Sequence, residues 1–467
     1  MNKPTVSLVN VKAENNAMGL FNLAPLGAAY LGTILQNSGH EVTIFDENRQ
    51  PVYQPQEQRF KPAVLESDVV GFTVISPAAN RAYEMARALK EQNPDMRLAF
   101  GGPHLLSDSE AERFARYGTV VQGEGERVIE DVVHGRLNGI VDAPPVEDMD
   151  GLPIPDLGLI NTYDRYLGTE YVMERSVPLS TARGCPRDCE FCAVANMHGT
   201  RIRRRSVDHV MRELRQRYRE GYRRIFCADD NFSIVPRHRR ELLQRLADMR
   251  QQEDKKFHGF CIQDEVPGLL KAGDQYLDLM HRAGITTVMV GIENFDPGVL
   301  DQVDKAQDHA ENEKVITKLN QKGFYPYAFM IASPQSASPE TVRHQFRKLR
   351  ELGVRVAQMT IETPIPGTRY WERTKDSLLS RDWDKWDFSH CLVEPATMKA
   401  REMEKTVREE MKRFYSIGKA LRYLAEGVGK YMGLLRKKGS ALAELLEGVR
   451  SAIVTCWGHY ISRRLYH

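Results

Sequence analysis

Val177-Pro-Leu-Ser-Thr-Ala-Arg-Gly-Cys185-Pro-Arg-Asp-Cys189-Glu-Phe-Cys192 decides how the rest of this chain is read. The run 177–181 is short, apolar and β-branched, as a buried strand is. A loop with three thiols follows it at once. Cysteines separated by three and then two residues can bring their thiolates to one soft metal centre. A structural zinc site takes four ligands, and the fourth candidate here is His198, six residues past Cys192. With only three ligands, a four-iron cluster keeps one iron open, and a reactive cluster needs an open iron.

Outward from this loop, strand and helix alternate. Strand candidates lie at 177–181, 224–228, 257–262, 286–292, 325–331 and 355–363, each followed by a helical stretch. That pattern predicts a partial (β/α)6 barrel over residues 175–370, with its chemistry at the carboxyl ends of the strands. Residues 1–140 alternate in the same way, with strands at 6–11, 41–45, 69–75, 97–100 and 119–122 and helices at 27–38, 79–92 and 108–116. Short apolar strands with helical crossovers predict a doubly wound parallel sheet, which binds ligands beyond its carboxyl edge. Residues 141–174 read as a linker, since 141–160 are rich in Pro and acids and have no period. Residues 371–467 hold Trp371, Trp383 and Trp386 and then a helical region from about Ala400. The expected class is α/β: a doubly wound sheet, a partial barrel and a helical C-terminal tail.

The chain has 467 residues and a net charge of 65 − 63 = +2. Its length suits about two or three domains. At 42% apolar and 27% charged residues, it is neither a largely disordered nor a collagen-like chain. The small net charge gives no reason to expect nucleic acid as a partner. Seven cysteines, an odd count in so long a chain, argue against a secreted disulfide framework. The start lacks the basic-then-apolar layout of a signal peptide, and 15–39 contains no apolar stretch of about 18 residues. These features read as cytoplasmic. The tail 416–467 carries nine Lys or Arg against three Glu, with Leu434, Leu435, Leu442, Leu445, Leu446 and Val449 at helical spacing. It fits a helix docked on the barrel, or peripheral contact with the inner face of an anionic membrane.

The Cys-x3-Cys-x2-Cys loop after the first strand of a six-fold barrel resembles the radical S-adenosylmethionine enzymes. The resemblance implies that Cys185, Cys189 and Cys192 hold a 4Fe–4S cluster whose open iron chelates the methionine part of the cofactor. It further implies one-electron cleavage of the sulfonium and a 5′-deoxyadenosyl radical that abstracts a substrate hydrogen. Phe191 stands in the family's aromatic place before the last Cys. Asp229 and Asp230 would lie near the amino group of the cofactor; helix capping is the other reading of this pair. Gly291-Ile-Glu293-Asn294 resembles the family's Gly-Ile-Glu-Ser, with Glu293 suited to ribose hydroxyls and Asn294 in place of Ser. Thr363-Pro-Ile-Pro-Gly367 would lie against the adenine, or form a plain turn. Cys227 and Cys261 read as core residues.

Four further features resemble the cobalamin-binding-type domain of a subgroup that includes the anaerobic Mg-protoporphyrin ester cyclase, hopanoid methylases and related lipid-modifying enzymes. They are Pro25-Leu-Gly-Ala-Ala-Tyr-Leu31, Val70-Gly-Phe-Thr-Val-Ile-Ser76, Gly101-Gly-Pro-His104 and Gly123-Glu-Gly-Glu126. Ser76, Gly101, Gly102, His104, Gly123 and Glu124 are the candidate cobalamin contacts, the glycines leaving room that a Cβ would fill. The Asp-x-His-x-x-Gly fingerprint is absent, for Phe45-Asp-Glu-Asn-Arg-Gln50 offers no His; bound cobalamin and a vestigial scaffold both stay open. The run Arg201-Ile-Arg-Arg-Arg205 reads as a docking patch for an acidic substrate or a flavodoxin- or ferredoxin-type electron donor, or as a solvated helix face. The function implied is radical functionalisation of an unactivated C–H bond, foremost cobalamin-dependent C-methylation of a lipid or tetrapyrrole. The alternatives are oxidative cyclisation or carbon–carbon coupling without methyl transfer, and a non-catalytic iron–sulfur or corrinoid-binding protein.

Overall fold

Two six-stranded parallel sheets follow one another along the chain in a computed structural model, which describes residues 3–14, 23–161, 176–252, 259–302, 305, 307–416 and 418. The first sheet holds β1 (Val6–Asn10), β2 (Val42–Asp46), β3 (Val69–Thr73), β4 (Arg97–Gly101), β5 (Thr119–Gly123) and β6 (Ile140–Ala143), in the order β2-β1-β3-β4-β5-β6. The reversal of strand order at β1 is that of a doubly wound sheet, with helices on both faces. Its strands are apolar on both faces, and Val69, Val70 and Phe72 are all buried. The helix Ala79–Gln92 shows why the crossovers are helical. Ala79, Ala82, Met85, Ala86 and Leu89 recur at helical spacing and are buried as one stripe against the sheet.

The strand β6 extends this sheet past the boundary read from the sequence, which falls inside it. Ile140–Ala143 pairs with β5 in parallel. The segment after it is not a free spacer either. Ile160 bridges Ile44 in parallel, Asn161 donates its N–H to the Ile44 carbonyl at 2.8 Å, and Leu157 and Ile160 are buried. Prolines break any period there without preventing packing.

The second sheet comprises β7 (Ser176–Leu179), β8 (Arg224–Cys227), β9 (Gly259–Asp264), β10 (Ile285–Glu293), β11 (Tyr325–Ala332) and β12 (Val356–Ile361), paired strictly in sequence order. Each βα repeat lies beside the one before it, so the sheet is an open six-strand barrel wall. Helix starts are marked in the sequence. Asp308 and Ser338 each make a reciprocal capping box, with Glu311 and Thr341 respectively. At the free edge, the helix Ala400–Phe414 buries Met403, Val407, Met411 and Phe414. The Tyr415 hydroxyl then takes the Ala357 N–H at 2.9 Å and donates to the Ala357 carbonyl at 2.6 Å. That closes hydrogen-bonding groups an edge strand would leave bare.

Trp371, Trp383 and Trp386 are buried, with Phe72, Phe100 and Leu105 of the first sheet in the same core. The Trp386 indole donates to the Pro364 carbonyl at 2.8 Å. The charged stretch beyond the barrel thus straps the two sheets together. The basic tail and Cys456 lie outside the described residues. Among the described residues, no helix is long and apolar enough to cross a membrane.

Candidate active site

The cluster loop leaves the carboxyl end of β7 and is braced on three sides. Gly184 turns it with φ of +96°, and a Cβ there would meet the Arg201 carbonyl oxygen at 2.5 Å; only glycine fits. Arg187 donates through two nitrogens to the two Glu265 carboxylate oxygens at 2.8 and 2.7 Å, a planar fork that fixes the loop against the end of β9. From the far side, Arg373 donates to the Glu190 carboxylate at 2.7 Å. The Glu190 carbonyl takes the Tyr370 N–H at 3.1 Å, and Asn196 donates to the Gly367 carbonyl. Cys185, Cys189 and Cys192 are free thiols, each partly buried, and Phe191 between the last two is half-buried. Burial pushes the Cys192 thiol up to about 12 and raises Cys185 as well, so ligation of a metal there must release protons. His198 is engaged elsewhere, with Nδ1 3.0 Å from a Glu124 oxygen.

The two adjacent aspartates after β8 have different work. Asp229 is buried and fully engaged. It accepts from the Thr181 and Ala182 N–H groups at 2.6 and 3.1 Å, from the Thr181 hydroxyl and from Arg239 at 2.6 Å. It ties β8 to the start of the cluster loop and has no group left for a ligand. Asp230 instead lines the cavity described below. Burial raises its acid above the usual carboxylate range, against the opposing charge of His198. The helix-cap reading fits neither, since the helix Pro236–Gln252 starts further on.

At the end of β10, the register slips between Gly291 and Glu293, and Glu293 takes the left-handed φ of +58°. A non-glycine residue held there carries strain, which concentrates at functional sites. Its carboxylate accepts from Lys305 Nζ at 2.8 Å. A Cβ on Gly291 would stand 2.4 Å from the Glu293 carboxylate and 2.9 Å from Lys305 Nζ, so this glycine makes room for the ion pair. Burial works against the Lys305 charge, but Glu293 and the nearby Cys189 and Cys192 hold it up. Lys305 was not singled out in the sequence, because no spacing ties it to Gly291-Ile-Glu293. Asn294 is structural: its amide donates to the Ile331 carbonyl at 3.1 Å. Thr363 is buried and donates to the Ile361 carbonyl at 2.9 Å, so its hydroxyl closes the end of β12. Beside it, Glu362 accepts from Ser333 at 2.7 Å, while its other oxygen and the Tyr370 hydroxyl are buried without a partner. Burial lifts the Glu362 acid to about 7.

The carboxyl edge of the first sheet faces this loop across a half-open cavity of about 360 Å3. Its lining is mostly apolar and comes from both sheets: Leu8, Phe72, Phe100 and Val121 on one side, Ala182, Met197 and Asp230 on the other. Gly27 and Gly101 leave its floor open, with no atom nearer than 3.9 Å to either Cβ position. Gly102 and Gly123 are needed for another reason. Both have positive φ, and a Cβ would lie 2.5 Å from the Val74 carbonyl oxygen and 2.4 Å from that of Ala143. There the missing side chain admits neighbouring backbone. Ser76 and His104 are not among the lining residues. His104 is fully buried, with Nδ1 3.2 Å from Ser76 Oγ and Nε2 3.3 Å from Glu110, and its ring stands edge-on to Trp383.

Glu124 reaches the cavity wall as the hub of a buried clamp between the sheets. Arg203 donates to both its oxygens at 2.6 and 2.7 Å, the Val146 N–H donates at 2.7 Å, and Arg183 lies at 3.3 Å. Burial opposes its ionisation, yet Arg203, His198 and Arg183 hold the acid far below the carboxylate range. Arg183 also pairs with Glu126 at 2.6 Å and lies over the Tyr30 ring. So the basic run 201–205 is neither a docking patch nor a solvated helix face at its core. Arg203 and Arg205 are buried, and Arg205 meets Glu213 at 2.6 Å. Alternation in the short strand Arg203–Arg204 turns Arg203 inward and leaves Arg204 exposed.

Two family models match this chain. That of the radical SAM superfamily covers residues 179–335, and that of the B12 binding domain covers residues 19–133. An uncharacterized methyltransferase of Pyrococcus horikoshii is 25% identical over 425 residues, 85% of this chain and 89% of that protein. The anaerobic magnesium-protoporphyrin IX monomethyl ester cyclase of Rubrivivax gelatinosus is 26% identical over 430 residues, 86% of this chain and 75% of its own length. Among solved structures, the radical S-adenosylmethionine methyltransferase TsrM from Kitasatospora setae, with cobalamin and a 4Fe–4S cluster bound, superposes with a TM-score of 0.60. It is 18% identical, covering 81% of this chain and 76% of that one, a likeness of fold.

Proposed function

We propose, from the premise that this chain is a radical S-adenosylmethionine enzyme with an N-terminal cobalamin-binding-type domain, that it methylates an unactivated carbon of a hydrophobic small molecule. Its cofactors, a 4Fe–4S cluster, S-adenosylmethionine and cobalamin, supply the one-electron cleavage of the sulfonium, the hydrogen abstraction and the methyl group. An aliphatic C–H bond has no acidic proton, so side-chain bases alone do not open it. Cys185, Cys189 and Cys192 would hold the cluster. Lys305 and Asp230 would offer a cation and a carboxylate to the two ends of the amino acid moiety beside it, and Glu293 would accept ribose hydroxyls. Gly27 and Gly101 would let a flat macrocycle lie on the edge of the first sheet.

The observation that carries this reading is the shared, mostly apolar cavity between the first sheet and the cluster loop. A cavity lined from both sheets brings a ligand on one within reach of chemistry on the other, and its apolar wall suits a lipid or tetrapyrrole acceptor. The cyclase relative favours one second reading, oxidative cyclisation of the substrate without methyl transfer. A flavodoxin- or ferredoxin-type protein would bring the electron.

The test is incubation of anaerobically reconstituted protein with reductant, cobalamin and methyl-labelled S-adenosylmethionine, followed by extraction of apolar products. Label in an extracted carbon framework together with 5′-deoxyadenosine is the expected outcome. 5′-Deoxyadenosine with a cyclised, unlabelled product would select the second reading.

A further inference from the structure

We propose that His40, Glu130 and His134 form a binding site for a divalent transition-metal ion of zinc type, at the amino edge of the first sheet. The three residues bring their ligating atoms within 4.8 Å of one another. His40 Nε2 lies 3.7 Å and His134 Nε2 3.6 Å from the same Glu130 carboxylate oxygen. Those separations are too long for hydrogen bonds. They are close to the spacing that one tetrahedral ion imposes, about 3.3–3.4 Å between ligands each about 2.0–2.1 Å from the metal. Closing the gap needs shifts of a few tenths of an ångström.

The state of His40 gives the independent sign. Its side chain is fully buried, and its Nδ1 lies 2.9 Å from the Pro4 carbonyl oxygen. A carbonyl only accepts, so Nδ1 carries a proton, and in the neutral ring Nε2 presents a bare lone pair. That lone pair is buried and has no partner; one Glu130 oxygen lies 3.7 Å from it, and the other is itself buried without a partner. An unpaired buried acceptor costs about 1–3 kcal/mol, and a carboxylate, itself an acceptor, cannot satisfy the lone pair of a neutral ring. A cation satisfies both. The backbone carbonyl that fixes the tautomer of one histidine is the outer-shell support that metal-ligating histidines commonly have.

Imidazole, imidazole and carboxylate suit zinc, and three protein ligands leave one position for water. Glu130 and His134 are about one-third exposed, which gives an ion its way in. His40 lies just before β2, Pro4 just before β1, and Glu130 and His134 sit on and just past the helix Ile129–Val133. A bound ion would therefore clip two helix ends and the start of the chain at the amino edge of the sheet. The cluster loop faces the other, carboxyl edge of this sheet, and the role of the ion would be structural.

The test uses reconstituted protein, whose cluster cysteines are occupied, equilibrated with buffered zinc at about micromolar free concentration. Zinc and iron per chain are then measured for wild type, His134→Gln and Glu130→Gln. Both substituted positions are partly exposed, so both variants are expected to fold. The proposal predicts one zinc per wild-type chain, at least about tenfold weaker binding in each variant, and the same iron content in all three. No zinc on the wild type, or equal zinc on all three proteins, overturns it.

Discussion

The carboxyl edges of the two sheets face each other across one cavity but are made of opposite materials. The first sheet offers open glycine positions and apolar side chains, with Gly27 and Gly101 on its floor. The second offers thiols, carboxylates and a lysine held by named partners, as in Glu293 with Lys305 and Arg187 with Glu265. A large flat ligand is recognised by room and shape, which few residues advertise. A redox cluster and a charged cofactor need specific donors, which leave a mark in the sequence. Between the two edges stands a third construction, the clamp around Glu124, whose members belong to neither site by their chemistry.

The comparison can be broken at its strong side first. Cys189→Ala should abolish 5′-deoxyadenosine formation and lower bound iron, while the cobalamin content stays near that of wild type. Loss of cobalamin together with iron would mean that the two edges are not separable sites.

The clamp comes next. Glu124→Gln leaves Arg203 buried without its charge partner, and removing one member of a buried pair costs about 3–5 kcal/mol. A fall in Tm of several degrees or more is expected. A change under 1 °C would show that the sheets do not depend on this contact.

Two neighbouring glycines sharpen the contrast on the first sheet. Gly102→Ala forces a Cβ against the Val74 backbone at positive φ and should destabilise by about 1–3 kcal/mol. Gly101→Ala should leave Tm nearly unchanged and weaken cobalamin binding about tenfold, since its Cβ enters open cavity. Tm and spectrophotometric cobalamin titration on both variants separate the two roles; the reverse pattern would reverse the assignment.

The last effect concerns Glu362 and shows as a pH dependence. Its acid rises from an ordinary 4.5 to about 7 in the fold, so the folded state holds its proton more tightly than the unfolded chain. Its burial costs nothing extra below about pH 4.5, costs progressively more up to about pH 7, and is constant above that, reaching at most about 3 kcal/mol. Glu362→Gln should therefore raise Tm relative to wild type more at pH 8 than at pH 5. An equal difference at both values would place the carboxyl in a solvated setting.

Much of this was legible in the sequence, for reasons that differ between regions. The cysteine loop and the βα alternation were readable because metal ligation and hydrophobic period both act locally. The wording Asp229-Asp230 could not say which carboxylate faces inward, since that depends on Thr181 and Arg239, which approach from other elements. The glycines at 102 and 123 looked like ligand room, but the close neighbour is backbone from adjacent strands. Arg203 and Arg205 read as surface charge because their partners, Glu124 and Glu213, lie 79 and 8 residues away. The strapping tryptophans have no period at all, and only the packed fold shows that they join the two sheets.

The most direct measurement is the iron, sulfide, cobalt and zinc content of anaerobically reconstituted protein after incubation with hydroxocobalamin and gel filtration. The structure predicts about four irons and one cobalamin per chain, with iron lost and cobalamin kept when Cys185, Cys189 and Cys192 are replaced together. Zinc without iron at those cysteines, or an iron-loaded protein that retains no cobalamin, would contradict a shared cavity built for both.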